Sequence, residues 1–258
     1  FGRRRWRGRM KSESDRADIS VVIPVYNSSP CLAELLSQLK PVLERLARRH
    51  EIILVDDGST DDSWSVIQGL ARLYPRLSAV SLMRNGGQAR ATLCGLSRAA
   101  GDIVITMDDD LQHRPDQLPA LVEILRTKPE LDAVLGFFQE KRHAWYRNVG
   151  SRVIHRMNAG AFGMPRGMRS SGFRAMRRDV ARAIVAHRTV NPSVTALLYD
   201  STHRVASVPV AHAARFAGRS GYSLAKQLRA AFDNICNVSM LPLRVIAALG
   251  LTMCLLSL

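Results

Sequence analysis

The chain has 258 residues, 47% of them hydrophobic, enough for one sizeable α/β domain or two small ones. Its four cysteines, Cys31, Cys94, Cys236 and Cys254, stand at no metal-ligand or redox spacing; this excludes a zinc knuckle or CxxC centre and suits reduced thiols in a cytosol-facing protein. The formal net charge of +15 invites a nucleic-acid reading, but the sequence carries no zinc finger or RNP-type motif to support one.

Residues 1–18 form a basic arm, seven Lys/Arg against three Asp/Glu, with no apolar run behind it of the kind a cleavable signal peptide would show. It reads as a solvated tail or as an arm resting on anionic lipid with Trp6 at the interface. Ile19–Val25 is a β-branched apolar strand. Leu32–Arg49 has helical spacing through Leu32, Leu35, Leu36, Leu39, Leu43 and Leu46. Ile52–Val55 is a second strand, and Asp61 and Asp62 are placed to cap a helix over Ser63–Leu73. A strand at Ser78–Leu82, a helix at Gly87–Ala100, a strand at Ile103–Met107, a helix at Leu118–Leu125 and a strand at Ala133–Phe138 follow. Beyond these, Trp145–Asn158, Arg178–Ala186 and Leu224–Met240 read as helices and Val205–Val210 as a strand. Apolar strands separated by helices of 10–15 residues predict βαβ units and a mostly parallel sheet covered on both faces. Val245–Leu258 carries no charge and reads as the start of a membrane helix that the chain end cuts short; a buried C-terminal helix is the alternative.

The charge divides along the chain. Residues 51–132 hold eight basic and thirteen acidic residues; residues 139–229 hold seventeen basic and three acidic. The first half can therefore hold a cation, and the second can meet phosphates or an anionic membrane face.

In a parallel α/β sheet, ligands bind beyond the carboxyl ends of the strands, and four clusters fall there. After the fourth strand comes Asp108-Asp109-Asp110-Leu111-Gln112-His113. Adjoining carboxylates repel one another unless solvated or neutralised. In an extended segment alternate side chains share a face. Asp108, Asp110 and Gln112 are thus expected to converge on one Mg2+ or Mn2+ that also holds substrate phosphates, with Asp109 pointing elsewhere; a solvated, helix-capping acidic turn is the plainer alternative. After the second strand, Asp56-Asp57-Gly58-Ser59-Thr60-Asp61 could accept from a base N–H or ribose hydroxyls, or serve as an ordinary capped turn. Pro24-Val25-Tyr26-Asn27 offers Tyr26 for stacking a base. Arg84-Asn85-Gly86-Gly87-Gln88 can present backbone N–H groups or Arg84 to a pyrophosphate, though it is neither a G-x-G-x-x-G nor a Walker loop.

Taken in order, Val-Ile-Pro-Val-Tyr-Asn, Val-Asp-Asp-Gly-Ser-Thr-Asp, Arg-Asn-Gly-Gly-Gln and Met-Asp-Asp-Asp-Leu-Gln-His resemble the family-two glycosyltransferases of GT-A fold. Ser170-Ser171-Gly172-Phe173-Arg174-Ala175 and residues 215–223, Arg-Phe-Ala-Gly-Arg-Ser-Gly-Tyr-Ser, look like its polyprenyl-phosphate branch. That branch includes dolichol-phosphate mannose synthases, polyprenyl-phosphate glucosyl transferases and the undecaprenyl-phosphate aminoarabinose (formamido form) transferase. The resemblance covers residues 19 to about 250. It implies an α/β GT-A catalytic domain over 19–222, a juxtamembrane interfacial helix over 223–242 and a transmembrane start over 243–258. The implied activity is inverting transfer from a nucleotide-sugar, UDP ahead of GDP, to a polyprenyl phosphate such as undecaprenyl phosphate, at the inner membrane with the catalytic domain facing the cytoplasm. Homo-oligomers occur among such membrane relatives.

The same resemblance implies site roles. The metal falls to Asp108, Asp110 and Gln112. The nucleotide falls to Pro24, Tyr26, Asn27, Asp56, Asp57, Arg84, Gln88 and Asp109. Candidates for the acceptor phosphate are Arg147, Arg152, Arg174 and Arg219, because a guanidinium can bind phosphate in a bidentate fork; of these, Arg147 and Arg174 lie in family-like stretches and join the two aspartates in the catalytic set. Where many relatives read Gly-Glu-Ser-Lys-Tyr, this chain reads Gly218-Arg219-Ser220-Gly221-Tyr222, so roles at positions 219 and 221 do not carry over directly. A processive polysaccharide synthase of the same fold is the nearest alternative enzyme, but its Gln-x-x-Arg-Trp motif does not occur here. A nucleic-acid-binding protein or a degenerate pseudo-enzyme would leave the aspartate triplet without a purpose.

Overall fold

The structure, a computed structural model, describes residues 17–138, 171–189, 192–211 and 253–254. Strands β1 (Ile19–Val25), β2 (His50–Asp56), β3 (Leu77–Ser81), β4 (Ile103–Thr106), β5 (Ala133–Phe138), β6 (Arg174–Arg177) and β7 (Val205–Val210) form one sheet in the order β3-β2-β1-β4-β6-β5-β7. β1 is parallel to β2 and β4, β2 to β3, and β5 to β7; β6 runs antiparallel between β4 and β5. The predicted mostly parallel sheet is therefore present, with one reversed strand that the sequence did not announce.

Every residue of β1 and of β2 is buried, so their side chains divide between two cores by simple alternation. Ile19, Val21, Ile23 and Val25 face the core that contains Leu32, Leu35, Leu36 and Leu39 of α1 (Ser29–Leu46), Ile67 of α2 (Ser63–Leu73) and Leu121 and Val122 of α4 (Leu118–Thr127). Val22, Ile53, Val55 and Val104 face the other core. It contains Ala91 and Leu96 of α3 (Gln88–Leu96), Val180 and Ile184 of α5 (Arg178–Ala186), and Leu198 and Tyr199 of α6 (Val194–Ser201). At Gly95, a Cβ would lie 2.2 Å from Val22 Cγ1, so the missing side chain sets how closely α3 sits on β1.

Differences from the sequence reading have local causes. Helix α1 starts three residues earlier than the leucine spacing suggests, because Pro30 suits the first turn and the Ser29 N–H donates to Asp61 Oδ2 at 3.2 Å. It ends at Leu46 because the Arg49 carbonyl accepts from the N–H groups of Asp18 and Ile19. Asp61, not Asp62, caps α2: its Oδ1 accepts from Ser63 N–H at 2.9 Å, while Asp62 makes no side-chain cap bond. Burial raises the Asp61 carboxyl, but the bonds from Ser63 and Ser29 lower it further, leaving it below its ordinary value.

Strand β6 went unread because four residues, two of them Arg, carry no alternation. Pairing on both sides makes it a strand, together with Arg177, whose guanidinium donates to the carbonyls of Leu131 and Leu125 at 2.8 Å each. Helix α6 was missed because its eight residues, Val-Thr-Ala-Leu-Leu-Tyr-Asp-Ser, show little polar face. The single turn of 3-10 helix at Pro115–Gln117 also went unread. The helices read at 145–158 and 224–240, the arm at 1–16 and the juxtamembrane stretch lie outside the described residues. Of the membrane start at 243–258 only Met253 and Cys254 are described, both helical and exposed. Among the described residues no helix is long and apolar enough to cross a membrane.

Candidate functional site

The carboxyl ends of β1, β2 and β3 are level, Val25 opposite Asp56 and Asp56 opposite Ser81, and the chain leaves β4 beside them, Met107 N–H donating to the Val22 carbonyl at 3.2 Å. This register brings the four clusters to one edge of the sheet, as the switch-point rule requires.

The first two loops are laced together. Asn27, at φ +52, accepts from Thr60 N–H at 2.8 Å through its Oδ1, and its own N–H donates to Ser59 Oγ at 3.0 Å. Ser28 N–H donates to Ser63 Oγ at 2.9 Å. Asp56 accepts from Ser81 Oγ at 3.0 Å and from Ser59 N–H at 3.2 Å. Asp57 accepts from Gly86 N–H at 2.7 Å through Oδ1 and from Gly87 N–H at 2.8 Å through Oδ2. Both aspartates are 2% exposed. Gly58, at φ +67, lies so close to the third loop that a Cβ would meet Asn85 N at 2.6 Å. The glycine-loop N–H groups expected to face a pyrophosphate thus face Asp57 instead; a carboxylate one loop away is the nearer anion. Tyr26 remains 47% exposed, and Arg84 and Gln88 are exposed.

The acidic segment is not the extended ribbon that alternation assumed. Leu111 is buried and takes φ +60, a left-handed conformation that costs a leucine about 1–2 kcal/mol, and Gln112 N–H folds back onto Asp110 Oδ1 at 3.1 Å. Burying Leu111 in the core turns the chain tightly and still keeps Asp108 and Asp110 within each other's field. Asp109 does point elsewhere: its Oδ2 accepts from Tyr26 N–H at 3.3 Å, tying the segment to the first loop. Burial pushes the Asp109 carboxyl up to about 6, against the bonds from Ser28 and Tyr26.

Asp108 is the centre of the cluster. Its Oδ1 accepts from Gln88 Nε2 at 2.6 Å, and its Oδ2 lies 3.5 Å from Nδ1 of His113. His113 is buried and stacks on Phe173, with ring centroids 5.0 Å apart and planes 15° apart. Burial raises the Asp108 carboxyl above its ordinary value and Asp110 adds to this, while His113, Arg174 and Gln88 oppose it. Arg174, at the start of β6, is 6% exposed; its guanidinium reaches Thr195 Oγ1 of α6 at 3.5 Å, and among the described residues its buried Nε meets no acceptor. Burial lowers Arg174 to about 10, with Asp108 and Tyr199 holding it up, and pushes Tyr199 up to about 12.

The profile of Glycosyl transferase family 2 matches residues 20–185. The chain is a family 2 glycosyltransferase. It is 34% identical over 233 residues to the undecaprenyl-phosphate 4-deoxy-4-formamido-L-arabinose transferase of Sodalis glossinidius (strain morsitans), covering 90% of this chain and 71% of that one. It is 34% identical over 239 residues to the protein of the same name from Edwardsiella ictaluri (strain 93-146), covering 92% and 73%. Among solved structures, glucosyl-3-phosphoglycerate synthase from Mycobacterium tuberculosis, in complex with Mn2+ and uridine-diphosphate-glucose, superposes with a TM-score of 0.62 at 21% identity over 85% of this chain and 76% of that one. That likeness places this glycosyltransferase in the GT-A fold.

Of the residues singled out in the sequence, the fold gathers Pro24, Tyr26, Asn27, Asp56, Asp57, Arg84, Gln88, Asp108, Asp109, Asp110, Gln112 and Arg174 at one edge of the glycosyltransferase sheet. Arg147, Arg152 and Arg219 lie outside the described residues. His113 and Gly172 belong to the same cluster but were given no role in their motifs, and Thr195 and Tyr199 belong to it and were not named. His113 could have been given one, since it closes the acidic motif; Thr195 could not, because it meets the site only through its contact with Arg174, twenty-one positions away.

Proposed function

We propose that this glycosyltransferase moves a sugar from a nucleotide-sugar, with UDP ahead of GDP as carrier, onto the phosphate of a polyprenyl lipid such as undecaprenyl phosphate. The observation that carries the reading is that identity to the undecaprenyl-phosphate transferases runs over 233 residues, beyond the family match at 20–185 and into the basic second half. In this reading residues 19–222 are the catalytic domain, the stretch from 223 on meets the membrane, and the site works at the cytoplasmic face of the inner membrane.

Hard oxygen donors fit a hard divalent cation. Asp108 is held above its ordinary carboxylate range by burial and by Asp110, a cost that a bound cation would remove. Among the described residues no three His, Cys, Asp or Glu side chains gather as a metal cage. In this reading Asp108, Asp110 and Gln112 hold Mg2+ or Mn2+, and substrate phosphates complete the coordination. Bound there, the ion would offset the charge of the departing nucleoside diphosphate.

The chain's own residues do the rest. Tyr26 offers a face for the base, with Pro24 and Asp56 at the neighbouring ends of β1 and β2; Asn27 and Asp57 keep the loops in place, and Arg84, Gln88 and Asp109 border the diphosphate. The acceptor oxygen is already anionic, so no strong general base is required. It attacks the anomeric carbon as the bond to the diphosphate breaks, inverting that carbon. Bringing two anions together is the main task. Arg147, Arg152 and Arg219 are assigned to it, since a guanidinium can bind phosphate in a bidentate fork. Arg174, whose charge acts on Asp108, serves it as a fixed positive charge.

The test is transfer to undecaprenyl phosphate in detergent from radiolabelled UDP- and GDP-sugars, with Mg2+ or Mn2+ and with EDTA. A cation-dependent, organic-soluble labelled lipid is the expected product. Label appearing only in polymer or protein would retain the family and discard the acceptor.

A further inference from the structure

Asp108 is enclosed on four sides, and one of them is a bare backbone. A Cβ built on Gly172 would lie 2.7 Å from Asp108 Oδ1, 3.1 Å from Oδ2 and 3.2 Å from the carboxyl carbon. The carboxylate is thus packed on the glycine itself, closer than any side chain at that position would permit. Gly172 is not left to drift: Thr106 Oγ1, from the last residue of β4, donates to its carbonyl at 2.7 Å. The next residue, Phe173, is fully buried, and Ser171 Oγ accepts from its N–H at 3.1 Å. Phe173 backs the His113 ring whose Nδ1 faces Asp108 Oδ2. The residue after that is Arg174, whose charge acts on Asp108.

The geometry points to Gly172 and Phe173 as positioning residues for the Asp108 carboxylate. Gly172 leaves the space that the carboxylate occupies, and Phe173 braces His113 against its other oxygen. The inference rests on the reading of Asp108 as a cation ligand. It adds the reason that a reversed strand stands in this sheet: running antiparallel, β6 begins beside the carboxyl end of β4, Arg174 opposite Thr106, and so delivers residues 171–174 directly to the aspartate. A parallel strand would deliver its carboxyl end, and a different chain segment, to that place. A methyl group at position 172 would have to displace a carboxylate that Gln88 holds by a hydrogen bond and that His113 Nδ1 faces at 3.5 Å, because the Thr106 bond ties the glycine backbone in place. A contact of 2.7 Å is shorter than packed cores accommodate without repacking.

The test is Mn2+ affinity of the full chain in detergent with uridine diphosphate present, read by electron paramagnetic resonance without turnover. Four variants are compared, Gly172→Ala, Thr106→Val, His113→Phe and Asp108→Asn, with thermal unfolding alongside. Gly172→Ala is expected to weaken Mn2+ at least tenfold. Thr106→Val, which frees the glycine carbonyl, and His113→Phe, which keeps the stack and removes Nδ1, are each expected to weaken it several-fold. If Gly172→Ala does not fold, Thr106→Val and His113→Phe carry the decision. Unchanged Mn2+ affinity in the folded variants, beside a loss in Asp108→Asn, overturns the positioning role alone. No Mn2+ bound by the unaltered chain, or equal affinity in Asp108→Asn, overturns the cation reading and this inference with it.

Discussion

Asp57 separates a latch from a ligand. Its buried carboxylate accepts two backbone N–H groups, from Gly86 at 2.7 Å and Gly87 at 2.8 Å, and these glycines lead directly into Gln88, which holds Asp108. Hydrogen bonds to a charged group are each worth about 1.5–3 kcal/mol. Asp57→Asn keeps the shape but offers one acceptor oxygen and turns an NH2 group toward the second glycine N–H, so one bond is lost and two donors meet in a buried place. The expected destabilisation is about 2–3 kcal/mol. At roughly 2–4 °C per kcal/mol for a chain of this size, the melting temperature should fall by roughly 4–12 °C. The assay is thermal unfolding of the ligand-free full chain in detergent, followed by the nucleotide-sugar KM. The latch role requires the stability loss to appear with no nucleotide present. An unchanged melting temperature with a raised donor KM would refute it and make Asp57 a direct nucleotide contact.

Asp110→Asn should abolish cation-dependent transfer, checked by the labelled-lipid assay, while thermal unfolding stays within a few degrees; unchanged turnover would remove Asp110 from the cation's ligands. Gly95→Ala should destabilise the chain by about 1–3 kcal/mol through overpacking, because its Cβ would lie 2.2 Å from Val22 Cγ1; a urea midpoint equal to that of the unaltered chain would show that α3 can shift without cost. His50 is held below its ordinary value of 6.5 first by burial and then by Arg76, whose guanidinium lies 3.1 Å from its Nδ1. The unfolded chain therefore takes up the proton first, and stability falls as pH drops below 6.5 toward the lower folded value. His50→Gln should flatten the melting-temperature profile over that interval; an unaltered slope would assign the acid sensitivity to other groups.

Much of this protein was legible before any coordinates. Strands at 19–25, 133–138 and 205–210 and helices at 63–73 and 178–186 stand where the sequence places them, because buried parallel strands and amphipathic helices carry their own periodicity. The four clusters were legible for the same reason: each follows a strand whose end the pattern marks. Asp109 is bonded to Tyr26 of the first loop, although the alternation invoked for it does not occur, since burial of Leu111 turns the chain instead.

What the sequence could not determine is who holds whom. Asp56 and Asp57 look alike in a row of acids, yet one binds Ser59 and Ser81 and the other the Gly86–Gly87 loop. Strand β6 exists only because β4 and β5 offer it backbone partners on both edges, and that pairing is a property of the assembled sheet rather than of four residues. From that one reversed strand come the contacts of Gly172 with Asp108, Phe173 with His113 and Arg174 with Thr195. They join segments at least twenty-one positions apart, and no local pattern encodes them. The sequence by itself determined the family, most strands of the sheet and the chemical groups at its edge. The tertiary structure alone decided the distances between those groups, because side-chain contacts across strands depend on register and direction, which hydrophobic periodicity does not specify.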